Sequence, residues 1–333
     1  MTRVAVLGAG SWGTTLADLL CAKGDEVVLW AYEQEVADEI NRRHRNNVYL
    51  PDSPLQPSLA ATTDYFAAVG GAEVVISAAP SHAVRRVMGA ASTGIAAGAL
   101  VVGASKGLEP ETRLRMSEVL AQVLAPGTPI AALSGPTFAR EVYERQPTAA
   151  VVAAAGGETA RRAQAALGVP HFRLYTNDDV IGVELAGALK NVVAIAAGIL
   201  DGLGLGHNAR AALITRGLAE IARLGVAMGA RSATFAGLAG MGDLLLTATG
   251  PLSRNRSLGV EVGGGRTLDD VVARRLSVAE GVGTARAAVE LAAQVGVDLP
   301  IAREVACVLF EGKAPRQAIG QLMERSLKSE TWS

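Results

Sequence analysis

The sequence predicts an α/β fold in two parts, a doubly wound parallel sheet followed by an all-helical region. Three observations predict it. Short, almost uninterruptedly apolar runs alternate with helical stretches through the first half, the pattern of parallel strands covered on both faces. The first of these runs passes straight into a glycine-rich turn and a helix. From about Asp178 the strand signal stops, and helical segments with short glycine breaks remain. A chain of 333 residues can bury a core in each of two domains, divided here as 1–179 and 180–333.

The first strand, Arg3–Leu7 (RVAVL), ends in GAGSWG at 8–13. In this Rossmann-like unit Gly8 permits the tight turn and Gly10 lets backbone approach a pyrophosphate. Gly13 allows close helix–strand packing, with phosphates at the helix N-terminus. The same pattern also serves as a βα turn that binds nothing. Glu26–Trp30 (EVVLW) is the second strand. An NAD-specific site places an acid at its end, but Ala31 and Tyr32 come first and Glu33 only after them. Arg42, Arg43 and Arg45 follow, either as contacts to a 2′-phosphate or as a solvated cluster. The Pro-rich loop at 45–57 needs something to order it, for which a cofactor's edge is one candidate.

Further strands are expected at 73–77 (EVVIS), 100–104 (LVVGA), 129–133 and Thr148–Ala153 (TAAVVA). Ligands of such sheets sit beyond the C-terminal strand ends, where Ser105–Lys106–Gly107 and the SGPT run at 134–137 fall.

In the helical half, the run at 183–198 (VELAGALKNVVAIAAG) is apolar nearly all round yet carries Lys190 and Asn191, so it reads as a buried helix. Burial depresses an ammonium's pKa unless a partner offsets it. Lys190 is then either a lysine snorkelling to solvent or an amine poised near neutral pH. Gly187, one turn earlier, leaves space beside it. The 208–229 helix is amphipathic, with Arg210, Arg216, Glu220 and Arg223 as its polar members. Asp243 stands in a glycine-rich apolar segment, where it pairs with a cation, Lys190 first, or caps a helix. In SRNR (253–256), Arg254 offers a planar fork to phosphate and Asn255 an amide donor; alone, such a tetrapeptide is a surface turn. Glu280 precedes a helix and is equally read as a cap.

Bulk properties exclude several classes. A net charge of −1 and 19% charged residues attract neither nucleic acid nor an anionic membrane, so anionic ligands must be bound by local chemistry. Cys21 and Cys307 read as reduced core thiols. The N-terminus lacks a signal-peptide pattern, no apolar run of spanning length is free of charge, and a cytoplasmic protein is expected. His44, His82, His171 and His207 share no metal-like spacing, and there is no Ser-His-Asp arrangement or Walker loop.

GAGSWG, SKGLE, SGPTFARE, VELAGALKNVVAIAAG, NARAALITRGLAE, GMGDLLLT and SRNR occur in this order from Val4 to about Leu322. In this combination the chain resembles the bacterial NAD(P)-dependent sn-glycerol-3-phosphate dehydrogenases. The resemblance implies a dinucleotide-binding domain over 1–179 and a helical substrate-binding domain over 180–333. It implies NADH- or NADPH-dependent, reversible reduction of dihydroxyacetone phosphate to sn-glycerol 3-phosphate, the precursor of glycerophospholipids. Lys190 would be the general acid/base, Lys106 would polarise the substrate oxygen, and Asp243 would orient Lys190 or bind a substrate hydroxyl. Arg254, Asn255 and Ser253 match positions that hold substrate phosphate; Gly135 and Thr137 line the pocket with Lys190 and Asn191. Ser11, Trp12, Tyr49, Lys106, Ala139, Arg254, Val278 and Glu280 correspond to cofactor contacts, beside Gly8, Gly10, Gly13 and Tyr32. The family often has a basic residue where this chain has Tyr32, which leaves its NADPH preference open. A homodimer is the family-level expectation. A β-hydroxyacid dehydrogenase or a non-catalytic NAD(P) sensor are the competing readings; the first would strip SRNR of its phosphate role, and the second has no use for a proton donor.

Overall fold

The computed structural model describes residues 1–274, 279–327, 329 and 330. Eight strands form one sheet in the order β3-β2-β1-β4-β5-β6-β7-β8. They are β1 (Arg3–Leu7), β2 (Glu26–Trp30), β3 (Ala60–Thr62), β4 (Val74–Ser77), β5 (Leu100–Gly103), β6 (Ile130–Ser134), β7 (Thr148–Ala153) and β8 (Phe172–Asn177). The order reverses beside β1, so a crevice opens above its C-terminal end, between the segments that leave β2 and β4.

Every neighbouring pair is parallel except β6 and β7, which run antiparallel. This corrects the expectation of an all-parallel sheet. An apolar strand buried on both faces reads alike in either direction, so hydropathy could not reveal the reversal. Two strands also escaped the pattern. β3 has only three residues. β8 buries Phe172 and Leu174 but exposes Arg173 and Tyr175, the alternation of a half-solvated edge rather than an apolar run.

The second part is organised around the Val180–Gly202 helix, about 34 Å long at 1.5 Å per residue. Asp179 caps it, accepting from the Gly182 N–H at 2.9 Å. The helix is long and apolar enough to cross a membrane, but 83% of its most apolar window is buried inside the protein, as a core helix is. The helices His207–Ala227, Asp243–Thr249, Arg254–Gly263 and Gly281–Gln294 pack around it.

The closest of these contacts is backbone to backbone. A Cβ at Gly198 would lie 2.0 Å from the Arg256 carbonyl oxygen, and one at Gly259 would lie 2.1 Å from that of Ile195. Gly202 and Gly263 repeat the arrangement one turn on. The two helices run side by side, and their glycine seam carries Arg254 and Asn255 to the turn that holds Lys190 and Asn191.

Two sequence expectations change here. Glu220 is not a surface member of its helix but is buried, accepting from the Ile301 N–H at 2.8 Å and capping the Pro300–Phe310 helix from outside. Burial pushes its carboxyl up to about 7 against those backbone donors. A helix pattern shows which face a carboxylate takes, not that another helix N-terminus waits there. Cys21 is buried as expected, whereas Cys307 is only half-buried.

Gly259→Ala should lower the melting temperature by roughly 5 °C, since overpacking costs about 1–3 kcal/mol. Gly320→Ala, where nothing lies within 4 Å of the added carbon, should leave it unchanged or slightly raised in the same thermal melt.

Candidate active site

The crevice above β1 is shaped by its glycines. Gly8 has φ 126° and backs onto the β4 exit, where a Cβ would lie 2.7 Å from the Ala78 carbonyl carbon. A Cβ at Gly13 would lie 1.9 Å from the Gly8 oxygen, so the helix closes directly onto the turn. The Cβ position of Gly10, by contrast, has no atom within 4 Å. That open space fronts the Ser11–Lys23 helix, whose N-cap has no side-chain partner and whose first turn has no acid. A bare helix N-terminus facing open space fits a pyrophosphate.

Protein groups hold the 45–57 loop against the glycine turn. Asn46, fully buried, donates to the Ala9 carbonyl and the Thr14 hydroxyl, both at 2.8 Å. Ser11 Oγ donates to the Tyr49 carbonyl at 2.6 Å, tying the loop to the glycine turn. Tyr49 in turn donates its hydroxyl to Glu33 at 2.8 Å. Burial and that carboxylate push the phenol up to about 12. Trp12 turns its ring edge to Phe172 at 6.2 Å, and its indole N–H is buried without a partner. Ala139 opens the Ala139–Tyr143 helix on the far side, its carbonyl accepting from Thr15 Oγ1 at 3.2 Å.

The second centre is a buried cluster of charges between the two parts of the chain. Asp243 is fully buried and takes Lys190 on Oδ1 and Lys106 on Oδ2, the latter at 2.8 Å. Lys190 also donates to Thr247 Oγ1 at 2.8 Å, and Thr247 donates back to the Asp243 carbonyl at 2.6 Å. Lys106 reaches the Gly135 carbonyl at 2.7 Å and Thr137 Oγ1 at 3.1 Å. So the loops after β5 and β6 meet the central helix through one carboxylate.

Gly187 does make room here, for protein groups: a Cβ would lie 2.6 Å from Ser134 Oγ and 3.7 Å from Lys106 Cγ. Burial lowers the Lys190 ammonium to about 7; Asp243 opposes that shift and Lys106 adds to it. Lys190 does not snorkel, for it is 6% exposed. Asp243 begins the Asp243–Thr249 helix without capping it, since its oxygens go to the lysines. A π-helical turn, Leu238–Gly242, precedes it and brings Gly242 against Pro136.

SRNR divides its labour. Ser253 caps the Arg254–Gly263 helix, accepting from the Arg256 N–H at 3.2 Å, and Arg256 pairs with Asp201. Asn255 donates to Asn191 Oδ1 at 2.9 Å and accepts from the Gly281 N–H at 2.9 Å, so much of its amide is engaged inside the protein. Arg254 alone of the four is exposed, but its guanidinium is crowded enough that burial lowers its pKa, with Glu280 opposing. Glu280 stands at the N-cap position of the Gly281–Gln294 helix, but its side chain does not cap it; the carboxylate accepts from the Ser81 N–H at 3.1 Å and from the Ser81 hydroxyl, beyond the end of β4. Val278 lies outside the described residues.

Several members were not visible in the sequence. Thr247 could have been found as the residue one turn after Asp243 on the same face. Ser81 had no signal. Neither had the buried pair of Arg115 and Glu184 at 2.8 Å, which joins the segment after Lys106 to the helix of Lys190, with Ser117 also donating to Glu184. Burial raises the Glu184 carboxyl, and Arg115 opposes this. Among the described residues no group of His, Cys, Asp and Glu is placed to hold a metal ion.

Residues 3–160 match the family described as NAD-dependent glycerol-3-phosphate dehydrogenase N-terminus, and residues 179–320 match its C-terminus. The chain is 52% identical over 330 residues to the glycerol-3-phosphate dehydrogenase [NAD(P)+] of Citrifermentans bemidjiense, covering 98% of each. It is 51% identical over 330 residues to the enzyme of the same name from Syntrophotalea carbinolica, covering 98% of this chain and 99% of that one. Its structure resembles crystalline glycerol-3-phosphate dehydrogenase from Coxiella burnetii with a TM-score of 0.93 at 40% identity, over 97% of this chain and 99% of that one.

Removing Asp243 would leave Lys190 and Lys106 without the carboxylate that both are hydrogen-bonded to. Asp243→Ala should therefore destabilise the fold by about 3–5 kcal/mol, whereas Lys190→Met, which keeps the Lys106–Asp243 pair, should cost less. Denaturant unfolding of the two variants against the parent checks this.

Proposed function

The chain belongs to the NAD-dependent glycerol-3-phosphate dehydrogenase family, and we propose that it performs the family's reaction with Lys190 as proton donor and acceptor. It is an NAD(P)-dependent oxidoreductase that reversibly reduces dihydroxyacetone phosphate to sn-glycerol 3-phosphate with NADH or NADPH, supplying the glycerophospholipid backbone. The observation that supports the residue roles best is the buried Lys190, lowered to about 7 while hydrogen-bonded to Asp243 and Thr247.

In this reading residues 1–179 hold the dinucleotide over the glycine turn, and residues 180–333 supply most of the substrate site. When bound, the reduced nicotinamide supplies a hydride to the keto carbon. Lys190 Nζ gives its proton to the carbonyl oxygen as negative charge develops there, and in oxidation the neutral amine takes the hydroxyl proton. An amine near 7 is populated in both forms at neutral pH, so one residue serves both directions. Lys106, half-buried beside Gly135 and Thr137, polarises the same oxygen. Asp243 holds both lysines and keeps Lys190 from losing its proton altogether.

Arg254, at the rim beside a helix N-terminus, is the group suited to the substrate phosphate, with Ser253 and Asn255 shaping the turn that presents it. Glu280, anchored at Ser81, brings the second part of the chain to the crevice where a nicotinamide would lie. We also read the protein as a cytoplasmic homodimer; the free thiols of Cys21 and Cys307 suit a reducing compartment.

Steady-state kinetics tests these roles. Lys190→Ala should lose about 10²–10⁴ in kcat. In glycerol 3-phosphate oxidation the parent's rate should rise with pH through about 7, as Lys190 becomes the neutral base; Asp243→Asn should move that rise to lower pH, because the carboxylate is what holds the proton on. Arg254→Ala should chiefly raise KM for dihydroxyacetone phosphate and reduce discrimination against unphosphorylated dihydroxyacetone. An unchanged KM with unchanged discrimination would return SRNR to the status of a surface turn.

A further inference from the structure

β2 and β4 flank β1 on opposite sides, so residues leaving their C-terminal ends converge over the glycine turn. Tyr32, two residues beyond β2, is 65% exposed there. The Val84–Ala91 helix, which follows β4, sends Arg86 across to it. The guanidinium carbon of Arg86 lies 5.4 Å from the centre of the Tyr32 ring, within cation–π range.

Tyr32 is supported from beneath. Its ring meets the edge of Trp30 at 6.4 Å, and Trp30 is stacked on Tyr65 at 4.5 Å and donates to the Thr63 carbonyl at 2.9 Å. An aromatic ledge that is exposed yet fixed thus holds a cation at the mouth of the crevice.

Three neighbouring charged groups have partners of their own. Glu33, the acid that would repel a phosphate at this strand end, is engaged by the Tyr49 hydroxyl at 2.8 Å. Arg85, adjacent to Arg86, is bound to Glu109 through two nitrogens at 2.7 and 2.8 Å. Arg42 pairs with Asp38 on its own helix. Among the described residues Arg86 makes no ion pair, and its contact is the Tyr32 ring.

We propose that Arg86, held on the Tyr32 ring, reads the adenosine 2′-phosphate, so that this chain accepts NADPH without a basic residue directly after β2. A planar guanidinium with its donors free of carboxylate matches a phosphate dianion. The inference rests on the dinucleotide reading of the crevice, but not on the identity of the reduced substrate.

The test is calorimetric titration of the intact protein with adenosine 2′,5′-bisphosphate and, separately, with ADP, neither of which requires turnover. Arg86→Gln should weaken the 2′-phosphorylated ligand about ten- to hundredfold, the worth of a charge-assisted hydrogen bond, and ADP by less than about twofold. Arg86→Lys should recover part of the loss, and Arg43→Gln should change neither ligand. The NADPH/NADH ratio of kcat/KM should fall in parallel.

Equal loss for both ligands in Arg86→Gln would make Arg86 a mere support for the adenine. No loss, or a loss with Arg43→Gln instead, would place recognition elsewhere; either result overturns the proposal. Binding of neither ligand by the parent protein would overturn the dinucleotide reading as well. Selective loss in a protein inert toward dihydroxyacetone phosphate would uphold Arg86 and sink only the substrate.

Discussion

A single buried carboxylate governs the arrangement of this protein. Asp243 has no exposure to solvent and accepts two lysines, one from the loop after β5 and one from the middle of the most buried helix. Two ammonium groups cannot share a dry space without such a counter-charge. The carboxylate in turn would be intolerable without them. Three segments spread over more than 130 residues of chain are thereby held to one another by one electrostatic requirement. Its by-product is an amine balanced near neutrality, because burial pushes the proton off Lys190 while Asp243 holds it on.

The surrounding contacts keep that balance rigid. The glycine seam lets two helices touch along their backbones and so delivers Arg254 and Asn255 to the turn of Lys190 and Asn191. Asn255 is spent as a strut between Asn191 and Gly281, which fixes the start of the Gly281–Gln294 helix and the Glu280 just before it. Glu280 then reaches Ser81 beyond β4, and Glu184 reaches Arg115 beyond β5. Both contacts cross from the helical part to the C-terminal edge of the sheet. The crevice and the lysine cluster are therefore built as one object from both parts of the chain.

Much of this was legible in the sequence, for physical reasons that can be named. Six strands announced themselves because burial on both faces demands uninterrupted apolar runs. Gly8, Gly10 and Gly13 announced the turn because each excludes or admits something specific. Lys190 stood out because a charge within an apolar helix needs an explanation, and Asp243 because a lone acid in such surroundings needs a cation. What stayed hidden depends on a partner far away in sequence. Glu220 and Glu184 look like ordinary helical carboxylates until the N-termini at Ile301 and Ser117 are brought to them. The reversal of β7 leaves no trace in hydropathy. The cation beside Tyr32 comes from another βα unit altogether, which is why reading onward from β2 led to Arg42, Arg43 and Arg45 instead.

Everything in this arrangement turns on Lys190 holding its proton loosely in the folded protein. The chain has only five lysines, so ¹³Cε-lysine labelling gives a spectrum in which each can be identified, Lys190 by its absence in Lys190→Met. The Lys190 resonance should titrate near pH 7 in the folded parent. A resonance that stays in its ammonium position to beyond pH 10, like an ordinary lysine, would contradict it.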